Sequence, residues 1–184
     1  MIQTRSICVF CGSRNGVDPR YAESARSVGA LIAAQGWRLV YGAGDVGLMG
    51  QVAEAAQAAG APAMGVIPQH LMAREKGRAR LTTMVVTEDM HERKKVMFMN
   101  SDAIVVLPGG AGTLDELFEV MTWRQIGLHE KPIFLLNING YWNPLLTLLD
   151  HVVASGFAEQ SLMTYAAVVP DVATLETRLR AALS

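Results

Sequence analysis

Short aliphatic runs alternate with helix-length segments from one end of the chain to the other, and this alternation constrains the fold more than any other feature. Strands are expected at Ile7–Phe10, Trp37–Tyr41, Pro62–Ile67, Thr82–Val86, Ala103–Leu107, Ile133–Leu136 and Ala166–Val169. Helices are expected at Pro19–Ala34, Val46–Ala59, Met90–Asn100, Thr113–Ile126, Tyr141–Ala154 and Val172–Leu183. Aliphatic strands separated by helices predict a parallel sheet covered on both faces, so the fold class is α/β and doubly wound. No repeat, low-complexity tract or linker interrupts the 184 residues, which predicts a single domain over 1–184.

Composition excludes several classes. Hydrophobic residues make up 51% and charged residues 18%, too apolar and too weakly charged for a disordered chain. Lys and Arg number 16 against 17 Asp and Glu, so the basic field of a nucleic-acid binder is missing. No apolar run reaches the roughly 18 residues of a membrane span. The segment from Met1 to Arg5 runs into a strand without a signal-peptide core, which points to the cytoplasm. Cys8 and Cys11 cannot build a disulfide framework. Strand alternation sends them to opposite faces, whereas a redox pair belongs at a helix start.

The 17 glycines carry more information by position than by number. Three of the loops that follow strands are glycine-bearing: Cys11-Gly12-Ser13-Arg14, Gly42–Gly50 and Pro108–Thr113. In doubly wound sheets ligands bind outside the carboxyl ends of the strands. Glycine lets backbone approach a ligand, and helix N-termini offer free amides to an anion. Three such loops at one sheet edge predict an anionic ligand, most simply a phosphate. Gly42, Gly44 and Gly47 match G-x-G-x-x-G, but no acidic residue closes the next strand as a dinucleotide site requires. No Gly-Lys-Ser/Thr follows the glycines, so a Walker loop is absent. A mononucleotide or a sugar phosphate fits better than NAD or ATP.

Charged residues accompany these loops. Met90, Arg93, Lys94 and Met97 share a helix face, which suits either a phosphorylated ligand or a snorkelling surface pair. Thr113 and Glu116 have capping-box spacing, which also holds a carboxylate beside anything bound at Gly109–Thr113. Leu114, Leu117, Phe118 and Met121 form the core face of that helix. Val120, Trp123 and Ile126 lie opposite, with Glu116 and Glu119, and a helix apolar on two sides hints at a subunit interface. The stretch Gln69–Arg80, with Arg74, Glu75, Lys76, Arg78 and Arg80, reads as a solvated loop or as a lid.

Pro108-Gly109-Gly110-Ala111-Gly112-Thr113-Leu114-Asp115-Glu116 resembles the P-G-G-x-G-T-x-x-E motif of the LONELY GUY proteins, cytokinin riboside 5′-monophosphate phosphoribohydrolases long mislabelled lysine decarboxylases. Met90-His91-Glu92-Arg93-Lys94 is similar to the second signature of that family, with supporting matches at Cys11-Gly12-Ser13, Val46–Gly50 and Thr122-Trp123. The resemblance implies a Rossmann-like fold and a homodimer with sites at the interface. It implies Arg93 and Glu116 as a catalytic pair, and Gly109, Gly110, Gly112 and Thr113 around the 5′-phosphate. Lys94, Met90 and Glu75 would meet ribose or base, with Ser13 and Gly47 also at the substrate. Asp45 and Arg14 depart from the family pattern. The implied reaction is hydrolysis of the N-glycosidic bond of an adenosine-type 5′-monophosphate, with no metal and no cofactor. The alternative from another class is a non-catalytic carrier of a nucleotide-like cofactor. The decarboxylase label requires a pyridoxal phosphate lysine, and Lys76, Lys94, Lys95 and Lys131 lie in no such motif.

Overall fold

The computed structural model describes residues 4–72 and 81–184. Its elements follow in the order β1 (Ser6–Phe10), α1 (Pro19–Ala34), β2 (Arg38–Tyr41), α2 (Gly47–Ala58), β3 (Ala63–Pro68) and β4 (Thr83–Thr87). Then come α3 (Met90–Met99), β5 (Ala103–Val106), α4 (Ala111–Gln125), β6 (Ile133–Leu136), α5 (Asn143–Ala154), β7 (Ala167–Val169) and α6 (Val172–Leu183). The strands form one sheet in the order β4-β3-β2-β1-β5-β6-β7, parallel at every pairing. The expected α/β, doubly wound, Rossmann-like sheet is therefore present.

Strand alternation sorts the core into two layers. Ile7, Val9, Leu39, Val105 and Leu136 face α1, α2 and α6 through Val28, Ile32, Val52, Leu175 and Leu179. Cys8, Phe10, Val40, Val66, Ile104 and Leu135 face α3, α4 and α5 through Met97, Leu117, Val120 and Leu149. Cys8 and Cys11 fall in different layers, as expected, and both are free and buried. Helices α1 and α2 cross closely because Gly29 has no side chain; a Cβ there would overlap the Val52 carbonyl.

Helix starts are marked by short acceptors. The side chains of Asp18, Asp89 and Asp171 cap α1, α3 and α6 by accepting from the amides of Arg20, Glu92 and Thr174. Helix α4 is different. It begins at Ala111, two residues before the expected Thr113, with Gly110 as its cap and no side-chain hydrogen bond there. Thr113 and Glu116 are thus inside the helix, and the capping-box expectation is corrected. Phe118 is also corrected: it is 36% exposed, not part of the core face, whereas Val120 is buried. The Gln69–Arg80 stretch opens with a 3-10 turn at Gln69–Leu71, and Glu75 lies outside the described residues.

Sheet order places the site. The chain leaves β1 toward β2, then crosses from the β4 edge to enter β5 on the other side of β1. Loops after β1 and β5 therefore diverge above a crevice, the switch point where open α/β sheets bind ligands.

Candidate active site

The crevice is a cavity of about 460 Å³ lined by the loop Cys11–Gly16, by Pro108–Thr113, and by Arg93, Glu116, Tyr21 and Tyr141. Its two loops are fastened together: the Gly12 amide donates to the Pro108 carbonyl at 3.0 Å. Gly109 has no room for a side chain, since a Cβ would overlap Thr113 Oγ1 and come within 2.9 Å of the Gly12 nitrogen. At Gly110 and Gly112 a Cβ would meet nothing within 4 Å, so these positions open onto free space. Helical geometry leaves the amides of Ala111, Gly112 and Thr113 without intrahelical acceptors, whereas Leu114 already donates to Gly110. These free amides and the helix dipole make the start of α4 a receptor for an anion.

The three glycine loops do not share one task. The Gly42–Gly50 loop uses its glycines for packing. A Cβ at Gly42 would overlap Arg93 Nη2, and one at Gly47, where φ is +63°, would overlap the Ser13–Arg14 peptide. The first amides of α2 are already occupied, with Leu48 and Met49 donating to the Gly12 carbonyl at 3.0 and 3.3 Å. Helix α2 thus braces the β1 loop, and α4 offers its amides to the cavity.

Among the described residues, the charged side chains buried by the fold are Arg93, Lys94 and Glu116. Arg93 donates from Nε to Val66 O and from Nη2 to Gly42 O, both at 3.1 Å, and so ties the carboxyl ends of β3 and β2. Its Nη1 stands 3.6 Å from Glu116 Oε1, an ion pair longer than a hydrogen bond. Burial raises the Glu116 carboxyl from 4.5 to about 7, against the pull of Arg93, with Asp115 adding to the rise, Lys94 opposing it and Glu119 adding. A carboxylate of this kind exchanges protons near neutral pH, as a general acid or base must.

Lys94 lies beside this pair but turns elsewhere. Its Nζ bonds Asp115 Oδ2 at 2.9 Å and Glu119 Oε1 at 3.2 Å, clamping α3 to α4. Burial opposes its charge, but the two carboxylates prevail and hold its pKa above the ordinary lysine value. The structure brings Arg93, Glu116, Gly109, Gly110, Gly112, Thr113 and Ser13 together around the cavity. Lys94, Met90 and Gly47 are outside the lining, with Met90 Sδ accepting from Arg93 Nη1 at 3.8 Å.

Tyr21 and Tyr141 line the cavity and were not singled out from the sequence. Their rings meet edge to face at 5.5 Å. Tyr141 follows β6, so the rule that favours loops after strands was the available signal, but no glycine motif marked it. Cys11 also lines the cavity, and burial raises its thiol pKa far above the ordinary value, so it is no nucleophile at neutral pH.

A packing test follows from these contacts. Gly42→Ala should displace the Arg93 guanidinium from two backbone carbonyls and cost about 2–4 kcal/mol in denaturant unfolding. Gly110→Ala, facing open space, should cost less than about 1 kcal/mol. Equal losses in the two variants would remove the distinction drawn between the loops.

Residues 49–179 match the family model described as "Possible lysine decarboxylase". A probable cytokinin riboside 5′-monophosphate phosphoribohydrolase of Oryza sativa subsp. japonica is 46% identical over 157 residues, 85% of this chain and 64% of its own length. A cytokinin riboside 5′-monophosphate phosphoribohydrolase of Arabidopsis thaliana is 48% identical over 153 residues, 83% of this chain and 70% of its own. The chain therefore spans just under two thirds of that rice relative. Among solved structures, the molybdenum cofactor carrier protein of Chlamydomonas reinhardtii has a TM-score of 0.75 at 20% identity, over 98% of this chain and 99% of that one, a likeness of fold. With nearly half of the aligned residues shared with the plant enzymes and the matched model covering both signature helices, the chain belongs to the LONELY GUY family.

Proposed function

We propose that the protein hydrolyses the N-glycosidic bond of adenosine 5′-monophosphates, N6-modified ones included, releasing free base and ribose 5-phosphate. One observation carries the reading: a buried carboxylate, Glu116, stands beside a buried guanidinium in a cavity whose wall is an uncapped helix start. Helix α4 supplies both parts. Glu116 is four residues beyond Gly112, about 6 Å along the axis. That separation suits a ligand with its 5′-phosphate on the amides and its anomeric carbon near the carboxylate.

Cleavage of the bond builds positive charge at the anomeric carbon. As the C–N bond breaks, its electron pair leaves with the base. An ionised Glu116 stabilises the charge on the anomeric carbon and draws a proton from the water whose oxygen bonds that carbon. The base takes up a proton in turn and leaves as free base. Arg93, fixed by Val66 O and Gly42 O, holds the carboxylate ionisable in a buried site and orients it. Arg14, exposed at the cavity wall, adds a cation to the site. A carrier needs the glycine loops but has no use for a titrating carboxylate, so the hydrolase reading is preferred.

The same reading takes the chain as one domain working as a cytoplasmic homodimer without metal or cofactor. It is supported by two unpaired cysteines. It is supported as well by Phe118, Ile126 and Leu128, apolar side chains exposed on and just beyond α4. No helix among the described residues is long and apolar enough to cross a membrane.

The test compares kcat/KM for AMP and N6-isopentenyl-AMP with the values for their nucleosides. The phosphorylated substrates should be favoured by at least about 100-fold, since charge-assisted bonds to the free amides are lost with the phosphate. Equal rates with nucleosides would overturn the placement of the phosphate at α4.

A further inference from the structure

Resting on the reading above, we infer that Tyr141 is a positioning residue: its hydroxyl holds the Gly109–Gly110 peptide so that the first amides of α4 stay aimed at the substrate phosphate. The Tyr141 hydroxyl donates to the Gly109 carbonyl at 2.6 Å. The segment it holds is intrinsically flexible, and this hydrogen bond reaches the Gly109 carbonyl itself. Two consecutive glycines give the backbone more freedom than any other pair, and the Gly110 cap adds no side-chain bond. Two backbone anchors flank it, each at 3.0 Å: Gly12 N donates to Pro108 O a residue upstream, and Leu114 N donates to Gly110 O. Neither holds the Gly109 carbonyl. The peptide is trans, so its carbonyl and the Gly110 amide point in opposite directions, and fixing the first fixes the second.

Tyr141 is itself rigidly presented. Its ring packs edge to face on Tyr21 at 5.5 Å and on Trp142 at 4.8 Å. The turn leading to it takes two left-handed residues in succession, Asn139 at φ +52° and Gly140 at φ +72°. Asn137 Oδ1 accepts from the Trp142 amide at 2.7 Å and closes that turn. A non-glycine residue in the left-handed region is a backbone cost that surrounding contacts must offset. Here the contacts deliver a phenol to the phosphate loop.

The role predicts a selective defect. Tyr141→Phe keeps the ring and removes one hydrogen bond. It should raise KM for AMP and the dissociation constant for ribose 5-phosphate, measured by calorimetry, about tenfold each. It should leave kcat within about twofold, because Glu116 and Arg93 are untouched. Competitive inhibition by the unphosphorylated nucleoside should not change, and the thermal midpoint should fall by no more than the few degrees that one hydrogen bond carries. An unchanged KM with unchanged ribose 5-phosphate affinity overturns the inference. So does a loss that falls equally on phosphorylated and unphosphorylated ligands, since that is a general packing defect. Wild-type protein that binds no ribose 5-phosphate overturns the functional reading itself, and the role of Tyr141 with it.

Discussion

Glu116→Gln should lower kcat by about 10³-fold or more while making the protein more stable at neutral and alkaline pH. Both effects have one cause. The carboxyl is buried, and its pKa rises from 4.5 to about 7 on folding. A group whose folded pKa is raised binds its proton more tightly in the native state, so for a carboxyl stability is greatest at low pH. It falls as pH climbs from the unfolded to the folded value and stays lost beyond. The interval corresponds to about 3 kcal/mol, withheld from the wild type above pH 7. Glutamine has no proton to lose and avoids this cost. The variant should therefore melt roughly 5–10 °C higher than wild type at pH 8, and at nearly the same temperature at pH 4. Wild-type kcat/KM should meanwhile rise about tenfold per pH unit below 7 and level off above it, as the carboxylate ionises. An active Glu116→Gln variant would deny the residue its role. A variant less stable at pH 8 would deny that burial dominates its environment.

The second large effect is expected at Arg93. Arg93→Ala leaves the Val66 and Gly42 carbonyls without their side-chain donor and removes the cation 3.6 Å from Glu116. Breaking a buried pair from one side typically costs about 3–5 kcal/mol. The lowering pull on Glu116 is also lost, so the pH at which residual activity appears should move above 7, and kcat/KM at neutral pH should fall by at least about 100-fold. Arg93→Lys should restore little. An ammonium cannot reproduce a planar fork that serves two carbonyls while facing a carboxylate. Recovery of more than half the activity by lysine would show that charge alone suffices. Unfolding curves and pH–rate profiles on the two variants separate the structural part from the catalytic part.

The sheet was legible because each strand is a short aliphatic run bounded by turn residues. Ile7–Phe10 and Ala103–Leu107 sit at the centre of the sheet, buried on both faces, and read as continuous apolar segments for that reason. The start of α4 is not legible in the sequence, because Thr113 and Glu116 have the spacing of a reciprocal cap. The helix instead begins on glycines, whose caps carry no side-chain signal, so Glu116 lies inside the helix and is buried rather than serving as a cap. In the sequence, Lys94 reads as ligand-facing together with Arg93 because both share one helix face. Which cation turns to the cavity is decided by Asp115 and Glu119 on α4, a tertiary fact no local pattern contains.

The glycines divide in the same way. Their clustering after strands was visible, but Gly42 is small for Arg93 and Gly47 for the Ser13–Arg14 peptide, partners from distant parts of the chain. Tyr141 shows the limit most plainly. Nothing near it in the chain suggests a ligand, yet the parallel sheet brings the loop after β6 beside the loop after β5, where its hydroxyl meets Gly109. Local pattern located the elements and the charged residues. Contact across the sheet edge decided their tasks.

Product identification tests the central claim most directly. Purified protein incubated with N6-isopentenyl-AMP should yield free N6-isopentenyladenine and ribose 5-phosphate in equal amounts, with no nucleoside and no inorganic phosphate. Release of nucleoside and inorganic phosphate, or tight binding of a nucleotide that is recovered intact, would contradict it.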